Sequence, residues 1–173
     1  MDDHGHGTDH ELAGVAKSVA AAVQGRNHTV VAAESVTAGN IARTLAAAPE
    51  TSGWFRGSIV AYQTMMKRQV LGVAAERIIT AQCAQEMAEG ALRLTGADLV
   101  VAVTGVGGPE PEEGQPAGTV YICAGDKDHL RSFVHQFEGD PETVVHLATL
   151  HALQHLMGAA LSLKSEAQRG RES

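Results

Sequence analysis

Ser35 lies where an apolar stretch ends and a helical pattern begins, and it is the first residue of this 173-residue chain that suggests chemistry. The run His28–Ala33 is typical of a buried central strand, and Ile41–Ala48 predicts a helix that Pro49 ends. The first amides of a helix lack partners and carry partial positive charge, so the amides around Val36–Gly39 could stabilise an oxyanion beside a serine nucleophile. The alternative is that Ser35 is an N-cap, the usual role of serine at a helix start.

A serine nucleophile needs a base, and the candidates are Tyr62 and Lys67. Tyr62 ends the second predicted strand, Gly57–Tyr62, and Lys67 lies in the short amphipathic helix predicted over Thr64–Leu71. A lysine can replace histidine as the base where burial or nearby charge favours its neutral form. Spacing alone favours the plainer interpretation, in which Tyr62 is a half-buried strand-end residue and Lys67 is solvated.

The elements that must position these residues alternate between helix and strand. The others are a helix from the capping box Thr8–Glu11 to Gly25, a helix over Thr80–Leu94, strands over Asp98–Val103, Thr119–Ala124 and Leu130–Phe137, and a last helix capped by Asp140. This order predicts a three-layer α/β/α single domain with a mixed sheet over residues 9–164, between a flexible lead-in, 1–8, and a flexible tail, 165–173. Ligands of such folds bind beyond the carboxyl ends of the strands, where the loops Glu34–Gly39 and Thr104–Pro116 should meet.

Four stretches of the chain resemble the CinA C-terminal domain family in order and spacing. Ala33–Gly39 resembles the A-E-S-C-T-G-G motif of that family, and Ser52–Gly57 resembles its S-x-W-F segment. Val60–Leu71 is similar to its V-x-Y-x-x-x-x-K-x-x-x-L block, and Thr104–Val120 to its glycine-rich loop and following strand. The resemblance extends from about residue 30 to about residue 153, and the four stretches together make it specific.

The resemblance implies an activity and a set of site residues. Members are typically nicotinamide-nucleotide amidohydrolases, which convert nicotinamide mononucleotide to nicotinate mononucleotide and ammonia. The family's nucleophile falls on Ser35, and its tyrosine and lysine fall on Tyr62 and Lys67. A lysine base must be neutral, and Arg56 and Arg68 are the charges expected to help deprotonate it. The substrate is expected to contact Glu34, Val36, Thr37, Ala38, Gly39, Thr104, Gly105, Gly107 and Gly108, with no cofactor and no metal.

The chain also departs from the family pattern. Val36 replaces the family's cysteine and Ala38 its first glycine, and both replacements stay small or apolar. The loop over residues 107–113 carries three acids, which would disfavour a phosphate unless they point to solvent, and the stretch Gly139–His146 lacks two arginines of the family pattern. Two alternatives therefore stay open: hydrolysis of another small amide, and a non-catalytic relative that binds a nucleotide or a partner.

Composition limits the remaining classes of protein. The chain has 13 Lys and Arg against 20 Asp and Glu, a net charge of −7, which argues against direct nucleic-acid binding. No apolar run approaches the roughly 18 residues of a membrane span, and the start lacks a signal-peptide pattern, so a cytoplasmic protein is expected. Cys83 and Cys123 are expected to be buried small hydrophobes. A small-molecule nucleotide substrate and a homo-oligomer are the expected partners.

Two other motifs suggest ligands more weakly. His151 and His155 are one helical turn apart and could bind a metal, but no carboxylate shares their face, so packed or solvated histidines are favoured. His4, His6 and His10 could bind metal loosely. The glycines in Gly105–Gly108 lack the third glycine and the helix of a dinucleotide-binding fingerprint.

Overall fold

The helices and strands follow one another in the predicted order. The structure, a computed structural model, describes residues 4–163, with side chains from residue 9 onward. The elements are α1 (His4–Gln24), β1 (Val30–Glu34), α2 (Asn40–Ala46), a short 3-10 turn (Thr51–Gly53), β2 (Phe55–Val60), α3 (Thr64–Leu71), α4 (Ala81–Thr95), β3 (Leu99–Gly105), β4 (Thr119–Gly125), β5 (Leu130–Gln136) and α5 (Pro141–Ser162).

Five strands form one mixed sheet in the order β2-β1-β3-β4-β5. Strand β1 pairs in parallel with both β2 and β3, whereas β4 and β5 continue the sheet antiparallel. In this register Glu34, the last residue of β1, lies opposite Val60 of β2 and Val103 of β3. The three parallel strands therefore end at the same edge of the sheet, where their following loops meet.

Alternate residues of β1 face two separate apolar cores, because successive side chains of a strand point to opposite faces. Val30 and Ala32 pack in the core that α1, α2 and α5 cover. Val31 and Ala33 pack in the core that α3 and α4 cover. All five residues of β1 are buried, as expected of a strand that is covered on both faces. The predicted three-layer α/β/α arrangement is confirmed.

The start of α5 follows its predicted cap, whereas the starts of α4 and α1 differ from the prediction. The carboxylate of Asp140, the predicted N-cap, accepts a hydrogen bond from the Thr143 amide at the start of α5. Thr80, predicted as the first residue of its helix, is instead the N-cap of α4, and its hydroxyl accepts a hydrogen bond from the Cys83 amide. Helix α1 begins at His4, so the prediction that it starts at the capping box was wrong. The capping-box residues, Thr8–Glu11, lie inside the helix. Residues 1–3 of the predicted lead-in and the whole predicted tail lie outside the described residues.

Helix α5 was predicted as a helix but not as a candidate membrane span, because its apolar residues do not form an unbroken run. By length and composition alone, its 22 residues pass as a candidate membrane span among the described residues. The core helix of a domain passes the same criteria, and α5 buries Ala148, Leu153 and Leu156 in the same core as the strand residues Val101 and Ile122. Helix α5 is therefore one of the layers that cover the sheet.

Candidate active site

Ser35 follows directly on β1, between the ends of the two neighbouring parallel strands. Its amide donates a 3.0 Å hydrogen bond to the Val103 carbonyl of β3. On the other side, the Ala61 amide donates a 2.8 Å bond to the Glu34 carbonyl of β1. These bonds extend the sheet by one residue on each side, so Ser35 lies at the carboxyl edge of the sheet, where the fold predicts a ligand.

Ser35 is not a helix N-cap, so that alternative is wrong. Helix α2 begins at Asn40, and its N-cap is Gly39, which has a left-handed φ of 99°. A tight turn over residues 35–39 separates the serine from the helix, and Ala38 within it also has a positive φ of 48°. The Ser35 side chain is thus free of the usual structural role of a serine in this position.

Glu34 holds this turn in place. Its carboxylate accepts five hydrogen bonds, from the Thr37 and Ser58 hydroxyls and from the amides of Gly39, Ile41 and Ala42, at 2.7 to 3.2 Å. The residue is fully buried. Glu34 therefore satisfies the first amides of α2 and the Gly39 amide, so Gly39, one of the predicted oxyanion donors, is already occupied.

We expect Glu34→Gln to lower the free energy of unfolding by about 3 kcal/mol, because an amide nitrogen would face donors that now bond to a buried carboxylate oxygen. The measurement is urea unfolding of the variant and of Glu86→Gln. Glu86 also accepts bonds from two loop amides, those of Ala74 and Ala75, but is more exposed. A Glu34→Gln loss no larger than that of Glu86→Gln would contradict the structural role.

A cavity of about 410 Å³ opens at this edge of the sheet. It brings together the three predicted catalytic residues, Ser35, Tyr62 and Lys67. Five of the predicted substrate-binding residues line it, whereas Glu34, Thr37, Ala38 and Gly39 do not; the lining members of that set are Val36, Thr104, Gly105, Gly107 and Gly108.

Lys67 is almost fully buried, with 1% of its surface exposed. Its Nζ donates a 2.8 Å hydrogen bond to the Tyr62 carbonyl, and among the described residues it forms no salt bridge. Burial lowers the pKa of the Lys67 ammonium, against the opposing effect of Cys83, Glu112 and Glu113. Arg56 and Arg68, the charges expected to lower the Lys67 pKa, are not among the causes of this shift.

Tyr62 contacts Lys67 through its main-chain carbonyl. The Tyr62 carbonyl accepts the Lys67 hydrogen bond, whereas the Tyr62 residue is 66% exposed at the mouth of the cavity. Within the described residues, its hydroxyl makes no hydrogen bond to Ser35 or Lys67. The arrangement positions the lysine through a backbone oxygen and leaves the phenol facing solvent.

Two main-chain amides of the turn remain available as oxyanion donors. The Ala38 amide bonds to the Ser35 carbonyl, and the Gly39 amide bonds to Glu34. In the described part of the chain, the amides of Val36 and Thr37 have no hydrogen-bond acceptor. These two narrow the broader set of amides, Val36 to Gly39, that the sequence suggested.

The acidic loop is built into the wall of the cavity. The Glu113 carboxylate accepts hydrogen bonds from the amides of Ile78 and Ile79, at 2.9 and 3.0 Å, and Glu113 is not among the described residues that line the cavity. Thr104 reinforces this link, because its hydroxyl donates a 2.8 Å bond to the Ile78 carbonyl. Glu110 and Glu112 are exposed residues of the cavity lining.

Two residues that line the cavity were not predicted from the sequence. Ile78 and Ile79 lie in the loop between α3 and α4, which carries no motif, and they reach the cavity through the bonds to Glu113. Cys83 lies near Lys67, and burial raises the pKa of its thiol to about 11, so it stays protonated near neutral pH. The predictions that Cys83 and Cys123 are buried are confirmed, and neither is a nucleophile candidate.

Known proteins are similar to this chain in sequence and in fold. The family model described as the CinA C-terminal domain matches residues 12–160. Competence-damage inducible proteins of Bacillus pumilus and Streptococcus pyogenes are 38% and 37% identical over 79% and 94% of this chain. A crystal structure of a CinA superfamily protein from Klebsiella pneumoniae matches with a TM-score of 0.84 and 34% identity, covering 88% of this chain and 99% of that one. One from Escherichia coli matches with a TM-score of 0.81 and 32% identity, covering 84% and 88%.

The chain spans 34% of the length of the Bacillus pumilus protein and 39% of the Streptococcus pyogenes protein. Within this chain the matched stretch is nearly the whole described domain, and it contains Ser35, Tyr62 and Lys67. The family model, the sequence identities and the shared structure agree, and the chain belongs to the CinA C-terminal domain family.

Proposed function

We propose that this domain is an amidohydrolase that converts nicotinamide mononucleotide to nicotinate mononucleotide and ammonia. The observation that carries the proposal is the joint placement of Ser35 and the buried, partly desolvated Lys67 in one cavity at the carboxyl edge of the sheet. A serine beside a lysine whose pKa is lowered is a recurrent pair for acyl transfer. The nicotinamide-nucleotide class comes from the family resemblance.

The proposed reaction has two acyl-transfer steps. Neutral Lys67 takes the Ser35 hydroxyl proton as Oγ attacks the carboxamide carbon, and the Val36 and Thr37 amides stabilise the oxyanion. The tetrahedral intermediate collapses as Lys67 returns the proton to the leaving nitrogen, which releases ammonia and leaves an ester on Ser35. Water, deprotonated by Lys67, then attacks the ester, so the carboxylic acid leaves and the Ser35 hydroxyl is restored.

The cavity is large enough for a small ligand, since ligand sites usually occupy about 300 to 1,000 Å³. Its charge favours a second candidate, a small amide without a phosphate. Among the described lining residues, Lys67 is the one basic side chain, and Glu110 and Glu112 are acidic. This excess of acidic over basic side chains supports the second candidate. In both candidates Ser35 is the nucleophile.

A panel of amides distinguishes these candidates. The experiment measures ammonia release from nicotinamide mononucleotide, nicotinamide riboside and nicotinamide, and compares kcat/KM. The proposal predicts the highest value for the mononucleotide. Equal values for the mononucleotide and the riboside would favour a site that does not recognise phosphate. Ligand binding without ammonia from any of the three would favour a non-catalytic relative.

We expect deamidation to proceed without a metal ion. No cluster of three metal-ligating side chains lies around the cavity in the part of the chain that the structure describes. Dialysis against a chelator should therefore leave kcat and KM for the mononucleotide unchanged. Activity that is lost on dialysis while the chain stays folded, and is restored by zinc or manganese, would contradict the Ser35–Lys67 chemistry as written.

A further inference from the structure

Three histidines lie close together where a strand of the antiparallel half of the sheet contacts the last helix. His135 lies on β5, the edge strand, and His151 and His155 lie one turn apart on α5. Each offers one ring nitrogen, and these three nitrogens lie within 4.8 Å of one another. The sequence indicated only the helical pair, and packed or solvated histidines were favoured because no carboxylate shares the face of that pair. The third histidine lies on a strand that is distant in sequence.

We propose that His135, His151 and His155 form a binding site for one divalent transition-metal ion of the zinc class, separate from the Ser35 cavity. Imidazole nitrogen is a preferred ligand of Zn²⁺, Cu²⁺ and Ni²⁺. Three histidines with an open fourth position are a known tetrahedral zinc arrangement. The pair at i and i+4 on one helix and the single residue on the facing strand approach the ion from two sides.

The distances require only small side-chain movements. Zinc–nitrogen bonds of about 2.0 to 2.1 Å in a tetrahedron place the nitrogens about 3.3 Å apart. The Nε2 atoms of His135 and His155 share a hydrogen bond of 2.9 Å, slightly shorter than that spacing, and its proton must leave the shared nitrogen before both atoms can bind an ion. The widest separation in the cluster, at most 4.8 Å, must close by about 1.5 Å, which imidazole rotation on half-buried residues can supply.

Aromatic rings on both sides hold the imidazoles in place. Phe133 stacks on His155 with ring centroids 3.8 Å apart and planes at 12°. Phe137 stacks on His135 at 5.3 Å and 5°. This stacking limits the imidazoles to small rotations of the size that binding requires, which lowers the ordering cost of binding.

The protonation state of the cluster also suits a cation. Burial lowers the pKa of all three imidazoles, that of His155 to about 4. The lowered pKa favours the neutral imidazoles, and a neutral imidazole keeps one nitrogen lone pair for an ion. Glu11 lies close enough to oppose this effect at His151, and its negative charge would favour a bound cation.

Zn²⁺ binding by the full chain tests the site. The starting protein carries His4→Gln, His6→Gln and His10→Gln, so that loose binding at the N-terminus does not contribute. Competition with a chromophoric chelator should give one Zn²⁺ per chain, and Co²⁺ should show the intense visible absorption of a tetrahedral site. Zn²⁺ should also raise the Tm, because it binds the folded state.

Single substitutions then assign the ligands. His135→Gln and His151→Gln should each weaken Zn²⁺ binding by at least about 100-fold, more than the loss of an outer-shell partner. His129→Gln is the matched control, since His129 is exposed and lies outside the cluster. The Tm of each variant in chelator shows that it folds. Binding that is absent from the starting protein, or unchanged in both His135→Gln and His151→Gln, would overturn the proposal.

Discussion

The variant Ser35→Ala is expected to release ammonia from nicotinamide mononucleotide at least about 10³-fold more slowly than the parent, because loss of a serine nucleophile removes the covalent route. Its free energy of unfolding should stay within about 1 kcal/mol of the parent. Ser35 is not an N-cap, and its hydroxyl makes no hydrogen bond within the described residues. The measurements are an ammonia assay and urea unfolding of the same preparations.

Ser58→Ala is the matched control for this serine. The Ser58 hydroxyl donates a 2.7 Å hydrogen bond to Glu34 and lies outside the cavity lining. Its removal should cost about 1 to 2 kcal/mol of stability and leave most of the rate. The two serines thus separate chemistry from folding. A Ser35→Ala protein that keeps the parental rate would contradict the nucleophile assignment.

Lys67→Met and Lys67→Arg should each lower kcat by about 10² to 10⁴-fold, the range of a general base. In the parent, the rate should rise with pH as the Lys67 ammonium loses its proton. Because burial lowers the Lys67 pKa, this rise should lie below the pH at which an ordinary lysine titrates, about 10.4. The measurement is a pH–rate profile of the parent and both variants, and the rise should be absent from the variants.

Tyr62→Phe serves as the control for Lys67. It keeps the carbonyl that accepts the Lys67 hydrogen bond and removes only the exposed hydroxyl, so kcat should change little. A large loss of turnover would instead support a proton relay through the phenol. A Lys67→Arg enzyme with near-parental turnover would show that the residue supplies charge, since guanidinium does not deprotonate.

The chain's sequence predicts most of the fold because its strands and caps carry strong local signals. Thr64–Leu71 agrees with the observed α3 at both ends, and Asp140 followed by proline gives the start of α5. These elements depend on hydrophobic spacing and capping, which are properties of neighbouring residues. The start of α1 was missed because a capping-box pattern is also compatible with the interior of a helix.

The site could be predicted only as far as its residues lie next to regular elements. Ser35 and Lys67 could be predicted to lie at this cavity because one follows a strand directly and the other belongs to a spaced motif. The role of Glu34 was not, since its five bonds join a turn, a helix and a neighbouring strand. His135 was not predicted as a partner of the helical pair, because the contact between β5 and α5 is a tertiary contact that sequence spacing does not encode.

The most direct test of the account measures both products of the unmodified chain from nicotinamide mononucleotide in one reaction, with Ser35→Ala in parallel. The proposed mechanism should give ammonia and nicotinate mononucleotide in equal amounts over the whole time course, and neither product above background from the variant. Absence of both products from the unmodified chain, or equal product from the two proteins, would contradict the proposal that Ser35 deamidates a nicotinamide nucleotide.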